Sequence, residues 1–296
     1  MSGFQIFSDG SCDMERNVAA EHNIKIIPFY VSLDYEHYYK EIEELSLETF
    51  YKEIIENHIF PKTSLPSVQD YVDAFTPFLE QGQDILLFTI TDTLSGSYQS
   101  AITAKLMLEE TYPNGKIHII NSWNATGSQY LMVLEAAAMQ KAGHTLEEVY
   151  SFAEKSKADS RIFFMIGTLK HLEKGGRIGK IAAFSGSILN IKPLIVLKGG
   201  EISLVGVARS RKKGMQKLAD SLKSHFEKSG ENPADYRFSV GTTNTWEEVE
   251  PFQEYLTNAI PQIRFRKAFQ IGATIATHTG PDTLGICLVK KFETYL

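Results

Sequence analysis

The feature that most constrains this chain is an alternation. Short apolar runs of strand length are separated by longer segments with helical spacing. Phe4–Phe7, Ile24–Leu33, Asp84–Thr91, Lys116–Asn121 and Ile162–Ile166 read as strands. Between them, Met14–His22 reads as a helix that Asp13 can cap, and Leu45–Asn57 carries Leu47, Phe50, Tyr51 and Ile54 at helical spacing. Val68–Phe75, Gly96–Glu110, Ser128–Ala142 and Leu146–Ala158 read as further helices. Strands that alternate with helices predict a mostly parallel sheet covered on both faces. The pattern then changes. Ile191–Leu197 and Glu201–Ala208 are separated only by Lys198-Gly199-Gly200 and read as a hairpin. A short helix ends at Gly175-Gly176; helices Arg211–Glu227 and Trp246–Asn258 and strands Arg237–Thr242, Gln262–Gln270 and Thr283–Lys290 follow. The expected architecture is α/β with two domains. Residues 1–160 form an N-terminal α/β domain with a mostly parallel sheet flanked by helices, and residues 161–296 a C-terminal α+β domain whose sheet contains the hairpin.

Composition excludes several classes. With 43% hydrophobic and 22% charged residues the chain is of ordinary globular make-up. No run approaches the roughly 20 apolar residues of a membrane span, and the start, MSGFQIFSDG, lacks the pattern of a signal peptide. The two cysteines, Cys12 and Cys287, lie far apart and form no CxxC pair, which fits a reducing cytoplasm and argues against a thiolate metal site. Net charge is −6, so a nucleic-acid binder would need a concentrated basic patch, for which Arg209-Ser210-Arg211-Lys212-Lys213 is the one candidate. Gly175-Gly176-Arg177-Ile178-Gly179-Lys180 has the wrong spacing for a phosphate loop, and GxGxxG, GxSxG and HExxH are missing. Asp9 at the end of the first strand invites comparison with aspartyl-phosphate phosphotransferases, but the second acid they carry two residues on is replaced by Ser11.

Two hydroxyl-rich stretches stand where strands hand over to helices. Thr91, Thr93, Ser95, Gly96 and Ser97 precede one helix; Thr63, Ser64 and Ser67 precede another, with Pro66 near its first turn. Unpaired N–H groups and partial positive charge at a helix start attract anions, and glycine permits close approach. Simple capping explains each stretch alone. Together, at the carboxyl ends of strands in a doubly wound sheet, they can place four hydroxyls around one oxyanion. No base stands beside them in the sequence, so the pattern implies binding rather than catalysis by this chain.

These residues, with others, carry a resemblance. Ser8-Asp9-Gly10-Ser11-Cys12-Asp13, Thr63-Ser64-Leu65-Pro66-Ser67, Leu94-Ser95-Gly96-Ser97-Tyr98-Gln99-Ser100-Ala101, Leu172-Glu173-Lys174-Gly175-Gly176-Arg177-Ile178, Leu189-Asn190-Ile191-Lys192-Pro193-Leu194 and Thr277-His278-Thr279-Gly280-Pro281 resemble the motifs of the DegV family, in its order and over nearly the whole chain. The resemblance implies a cytoplasmic, non-catalytic protein without cofactor that holds one long-chain fatty acid between two domains. In the bacterial fatty acid kinase system such FakB-type proteins present the fatty acid to a separate ATP-binding kinase subunit, and the acyl phosphate feeds phospholipid synthesis. Carried over by motif, Thr63, Ser64, Ser95 and Gly96 hold the carboxylate, with His278 close to it. Departures are Asp9-Gly10 where the family usually has Asp-Ser, Asn121-Ser122-Trp123 where it often has Asp-Ser, and His278-Thr279-Gly280-Pro281-Asp282 in place of H-x-G-P-G.

Energetically, burial of roughly fourteen methylenes is worth on the order of 11 kcal/mol before ordering losses, and hydrogen bonds to a charged group about 1.5–3 kcal/mol. The tail then sets affinity and the hydroxyls set orientation. Ile188-Leu189 and Phe163-Phe164-Met165-Ile166 are candidates for the tail walls, although ordinary core is the reading such apolar runs favour. The charge on His278 is open. Arg177, Arg209 and Arg211 are candidates for docking the kinase and equally for solvated surface. Two other readings stay open: an esterase or phosphohydrolase that uses Ser95 or Asp9, and a lipid-sensing regulator that binds DNA through Arg209–Lys213.

Overall fold

The computed structural model describes residues 3–184 and 191–296. In the first half, strand β1 (Phe4–Asp9), helix α1 (Arg16–Glu21), β2 (Ile24–Ile27), β3 (Tyr30–Ser32), β4 (Tyr39–Lys40), α2 (Leu47–Glu56), β5 (Lys62–Ser64), α3 (Val68–Glu80), β6 (Asp84–Thr89), α4 (Ser97–Thr111), β7 (Ile117–Asn121), α5 (Thr126–Lys141) and α6 (Leu146–Asp159) follow one another. The second half holds β8 (Arg161–Met165), α7 (Lys170–Lys174), β9 (Lys192–Lys198), β10 (Glu201–Ala208), α8 (Arg211–Ser229), β11 (Tyr236–Thr242), α9 (Val249–Ala259), β12 (Phe269–Gln270), α10 (Ala273–Thr279) and β13 (Leu284–Lys290).

The expected parallel sheet is present, with strand order β2-β1-β6-β7 and every pairing parallel. Period-two alternation sends the side chains of each strand to opposite faces. Phe7, Ile85, Leu87, Ile117 and Ile119 pack with Tyr71, Phe75 and Ala104 of α3 and α4. Ile6, Leu86, Phe88 and Ile120 face the other way, into a core shared with α5 and α6. That same core receives Ile162, Phe164, Ile195, Leu197 and Val289 from a second sheet of order β10-β9-β8-β13-β11-β12, antiparallel except for the β11–β12 pair. The far face of this sheet, with Phe163, Met165, Phe238 and Leu288, is covered by α8 and α9. The molecule is thus layered as α3/α4, parallel sheet, α5/α6, antiparallel sheet, α8/α9.

Several expectations are corrected. Asp13 does not cap α1; it is buried with φ 56°, and Glu15 occupies the cap position. The single strand expected over Ile24–Leu33 is two strands in different sheets, since Pro28 cannot donate to the ladder and the chain turns there. β3 joins β4 and β5 in a small antiparallel sheet of order β4-β3-β5 that the apolar pattern did not announce. Thr63 and Ser64 lie on its strand β5 and not at a helix start, where Ser67 alone caps α3 through a reciprocal bond with Asp70. The strand expected over Gln262–Gln270 shrinks to Phe269–Gln270, and the apolar segment before His278 is helix α10. The hairpin is present: Gly199 and Gly200 both take positive φ, as the tight two-residue connection between β9 and β10 requires. Ile188-Leu189 lie outside the described residues. Among the described residues no helix is long and apolar enough to cross a membrane.

β13 sits in the middle of its sheet, and Leu288 is fully buried on the α8/α9 side. Leu288→Ala is expected to cost about 2–5 kcal/mol of unfolding free energy, measured as the midpoint shift in urea at unchanged slope.

Candidate functional site

The inner core is not solidly filled. A cavity of about 240 Å³ lies in it, on the order of twenty times the space one water needs. Its floor crosses the whole antiparallel sheet, from Ile202 on β10 through Leu197, Phe164, Gly285 and Gly241 to Phe269 on β12. Six strands at about 4.8 Å spacing make this path roughly 24 Å long. Its roof is made by Phe29, Ile90 and Ala125 from the parallel-sheet side and by Ile271 and Ile275 beside and on α10. Of the Phe163–Ile166 run, Phe164 lines the cavity, while Phe163 and Met165 point to α8, as alternation along β8 demands.

One end of the cavity is polar. Thr63, Ser64, Ser95, Arg177, His278 and Thr279 all line it. Each is positioned by local chemistry. Thr63 sits on β5 opposite Val31, and its Oγ1 lies 2.9 Å from His278 Nε2. His278 comes from the end of α10, where the built Cβ of a substituted Gly175 would fall 2.2 Å from its Nδ1; only glycine lets the α7 turn press against the ring. Burial, followed by the charges of Arg177 and His171, pushes the imidazole down to about 4, so it is neutral at physiological pH, and its Nδ1 is buried without a hydrogen-bond partner. Arg177 is not a free surface cation. Its Nε donates to Leu94 O at 3.0 Å and its Nη1 to Gly175 O at 2.6 Å, which fastens the Gly-Gly turn to the loop that carries Ser95.

The four hydroxyls before and at the start of α4 have separate tasks. Thr91 and Thr93 donate to Gly200 O at the β9–β10 hairpin tip and tie the two sheets together. Ser97 donates to Asp9 Oδ2 at 2.6 Å and meets Tyr71 OH at 2.6 Å. Only Ser95 faces the cavity, with its Oγ accepting from Ser97 N at 3.2 Å. Gly96 is exposed, does not line the cavity and occupies the cap position of α4, where a Cβ would come within 3.2 Å of Leu65 Cδ2.

Asp9 lies outside the cavity lining and is fully buried. Its Oδ1 accepts from Ser11 and Gln129, its Oδ2 from Ser97 and from Ile90 N at 2.9 Å. Burial raises its pKa against these bonds. A carboxylate so occupied has no free oxygen for attack on a phosphoryl group. No acid or histidine hydrogen-bonds Ser95 among the described residues, so the hydrolase reading lacks its base. Among the described residues no group of three or more His, Cys, Asp and Glu is arranged to hold a metal ion.

Arg211 is committed within the protein. Its Nε contacts both Glu248 carboxylate oxygens, at 2.9 and 3.0 Å, and its guanidinium also reaches Thr245 and Asp282 O. Arg209 is exposed.

Sequence reasoning missed a buried acid, Glu41. Its Oε2 accepts from Thr274 N at 3.0 Å at the start of α10, and its Oε1 from Phe29 N. Asp13 lies next to it. The Cβ of a substituted Gly272 would be 2.6 Å from Asp13 Oδ1 and 3.9 Å from Glu41 Oε2, and that of Gly10 2.2 Å from Glu41 Oε1. Glu41 therefore fills the space that a side chain at Gly10 would need. The signal was the glycine itself, which pattern reading had no reason to connect to residue 41.

The site and fold define a class: α/β proteins in which two sheets enclose an apolar cavity with one polar, hydroxyl-lined end. The profile described as "Uncharacterised protein, DegV family" matches residues 3–291, and the chain belongs to the DegV family. It is 32% identical to a DegV domain-containing protein of Clostridium perfringens, over 97% of both chains. It is 35% identical to a stearic acid-binding protein from Eubacterium ventriosum, with a TM-score of 0.92 and coverage of 98% and 99% of the two chains. A DegV family protein from Thermus thermophilus described by its fatty acid binding is 26% identical, with a TM-score of 0.86 and coverage of 97% and 99%.

Burial lifts the Glu41 carboxyl from 4.5 to about 7. Between those values the folded chain holds a proton that the unfolded chain has released, so stability falls as pH rises through the window. Wild type should lose about 3 kcal/mol relative to Glu41→Gln between pH 4.5 and pH 7.5, read from urea midpoints of both proteins across that range. Parallel curves would mean that Glu41 is ionised in the folded chain.

Proposed function

We propose that this chain is a long-chain fatty acid-binding protein that presents the carboxylate of its ligand to a separate ATP-binding kinase subunit for acyl-phosphate formation. The observation that carries the binding reading is the cavity itself: a mostly apolar slot of long-chain dimensions, with Thr63, Ser95, Arg177 and His278 converging at one end. The fatty acid-binding relatives, at 35% and 26% identity over nearly the whole chain, support it. The presenting role rests on the motifs shared with FakB-type proteins. It is consistent with a site in which, among the described residues, neither an acid nor a histidine hydrogen-bonds Ser95. The lipid lies between the parallel sheet of residues 1–160 and the antiparallel sheet of residues 161–296. Thr63, Ser64 and Ser95 donate to the carboxylate, and Gly96 shapes the loop beside it. Arg177 supplies positive charge from within the site. Of the three candidate docking residues, Arg209 is the one whose exposure suits contact with a partner.

Neutral His278 has one ring proton. When Nε2–H donates to Thr63 Oγ1, the Thr63 hydroxyl is turned to donate to the ligand. A carboxylate at this point also favours the cationic ring, so loading with fatty acid should move the His278 titration upward from about 4. Histidine-selective NMR of the empty and loaded protein measures this.

Protein purified from a bacterial host should release a long-chain fatty acid on denaturation, identified by mass spectrometry. Delipidated protein, ATP and a fatty acid kinase subunit should give acyl phosphate only when all are combined. Thr63→Ala and Ser95→Ala should each weaken binding by roughly ten- to a hundredfold and reduce acyl phosphate further, because the head group is misplaced. Absence of any bound or bindable fatty acid would overturn the binding reading. Turnover by this chain alone would overturn the presenting role.

A further inference from the structure

The polar end of the cavity lies beside the hairpin tip and the α7 turn. α10 runs along the cavity from Ile271 and Thr274 near its start to His278 near its end. The opposite extreme is therefore the β12 edge of the sheet, where Phe269 stands. Phe269 is 5% exposed and lines the cavity there. Its ring is seated between two glycines from different layers. A Cβ on Gly127 of α5 would fall 2.4 Å from Phe269 Cζ, and one on Gly241 of β11 would also fall 2.4 Å from it. Cys287 Sγ would be 2.7 Å from the same Gly127 Cβ, so the thiol packs against the edge of this seat. Behind the ring stands Tyr130, with ring centroids 6.2 Å apart, and Tyr130 is only half-buried. Phe269 thus stands between the cavity and the half-buried Tyr130 at that edge.

We propose that Phe269 is the specificity-determining end-stop that limits the length of the fatty acid tail, held rigidly in place by the paired glycine faces of Gly127 and Gly241. The proposal rests on the fatty acid reading given above. A tail methylene that reaches Phe269 has no further room, because the ring cannot retreat: α5 and β11 approach it too closely for even a methyl group to be added. A longer tail has to be accommodated by bending or by leaving methylenes in water, and each methylene left unburied lowers affinity roughly fourfold. Truncation of Phe269 to alanine or leucine opens the slot toward Tyr130 and removes that limit. Thr126, Thr274 and Thr283 also line the path; the Thr126 hydroxyl donates to Asp13 and that of Thr283 to Gly280 O.

The test is a binding series with saturated fatty acids of increasing length on delipidated protein, for wild type, Phe269→Ala, Phe269→Leu and Ser95→Ala. Wild-type affinity should rise with length and then break off at one length. In Phe269→Ala the break should move to longer chains by about two to four methylenes, with at least a tenfold gain for the first lengths beyond the wild-type limit. Phe269→Leu should move it less, in the same direction. Ser95→Ala should weaken all lengths by a similar factor and leave the break where it is. If Phe269→Ala does not fold, Phe269→Leu decides by the same criterion. An unchanged break in folded variants that still bind fatty acid sinks the end-stop and leaves the binding reading intact. No binding by wild type at any length sinks the binding reading itself.

Discussion

The rest of the site depends on one buried carboxylate. Asp9 ends β1 in the middle of the parallel sheet and accepts four hydrogen bonds, from Ser11, Gln129, Ser97 and the Ile90 amide. A charge in such a place is costly unless every lone pair is used, and here its partners come from the 3-10 turn that follows β1, α5, α4 and the end of β6. That requirement fixes the loop between β6 and α4, and with it the direction in which Ser95 points. The apparent catalytic aspartate is a knot, and the hydroxyl two residues after Ser95 is part of it. Removal of Asp9 would leave several buried donors unpaired, each worth about 1–3 kcal/mol.

The second constraint is that the cavity has walls from both halves of the chain. The parallel sheet contributes one side, the antiparallel sheet the other, and α5 stands between them as a common element. Cross-links hold this arrangement where an apolar core alone would collapse: Thr91 and Thr93 to the hairpin tip, Arg177 to Leu94, Thr63 to His278, Tyr51 to Ile271, and Glu41 to the start of α10. Empty volume in a protein interior costs packing energy; directional bonds around the rim keep the slot open without needing atoms inside it.

Much of this was legible in the residues. The alternation of apolar runs and amphipathic helices specified the parallel sheet because its strands are buried on both faces. Gly199-Gly200 specified the hairpin because both positions need positive φ. The motifs around Thr63, Ser95 and His278 identified residues that the fold brings to one end of one cavity. What failed to show has physical causes. β3, β4 and β5 have two or three residues each, too short for a period to register. Arg177 reads as surface because it follows a glycine pair, yet its bonds are to backbone carbonyls that no pattern exposes. Glu41 and Asp13 are neighbours only in space, and the glycines that make room for them carry no side chain to give the contact away. Phe269 reads as one more strand residue, since its role comes from Gly127 and Gly241, far from it in sequence.

The central place of β13 has a consequence for how the molecule is made. Gly285 and Cys287, which line the slot, lie on a strand that must insert between β8 and β11, elements that leave the ribosome well before it. Until synthesis has passed Lys290 the antiparallel sheet is two separate pieces, and the nascent chain has no enclosed cavity. Long-range pairing of this kind also makes closure a late and slow event.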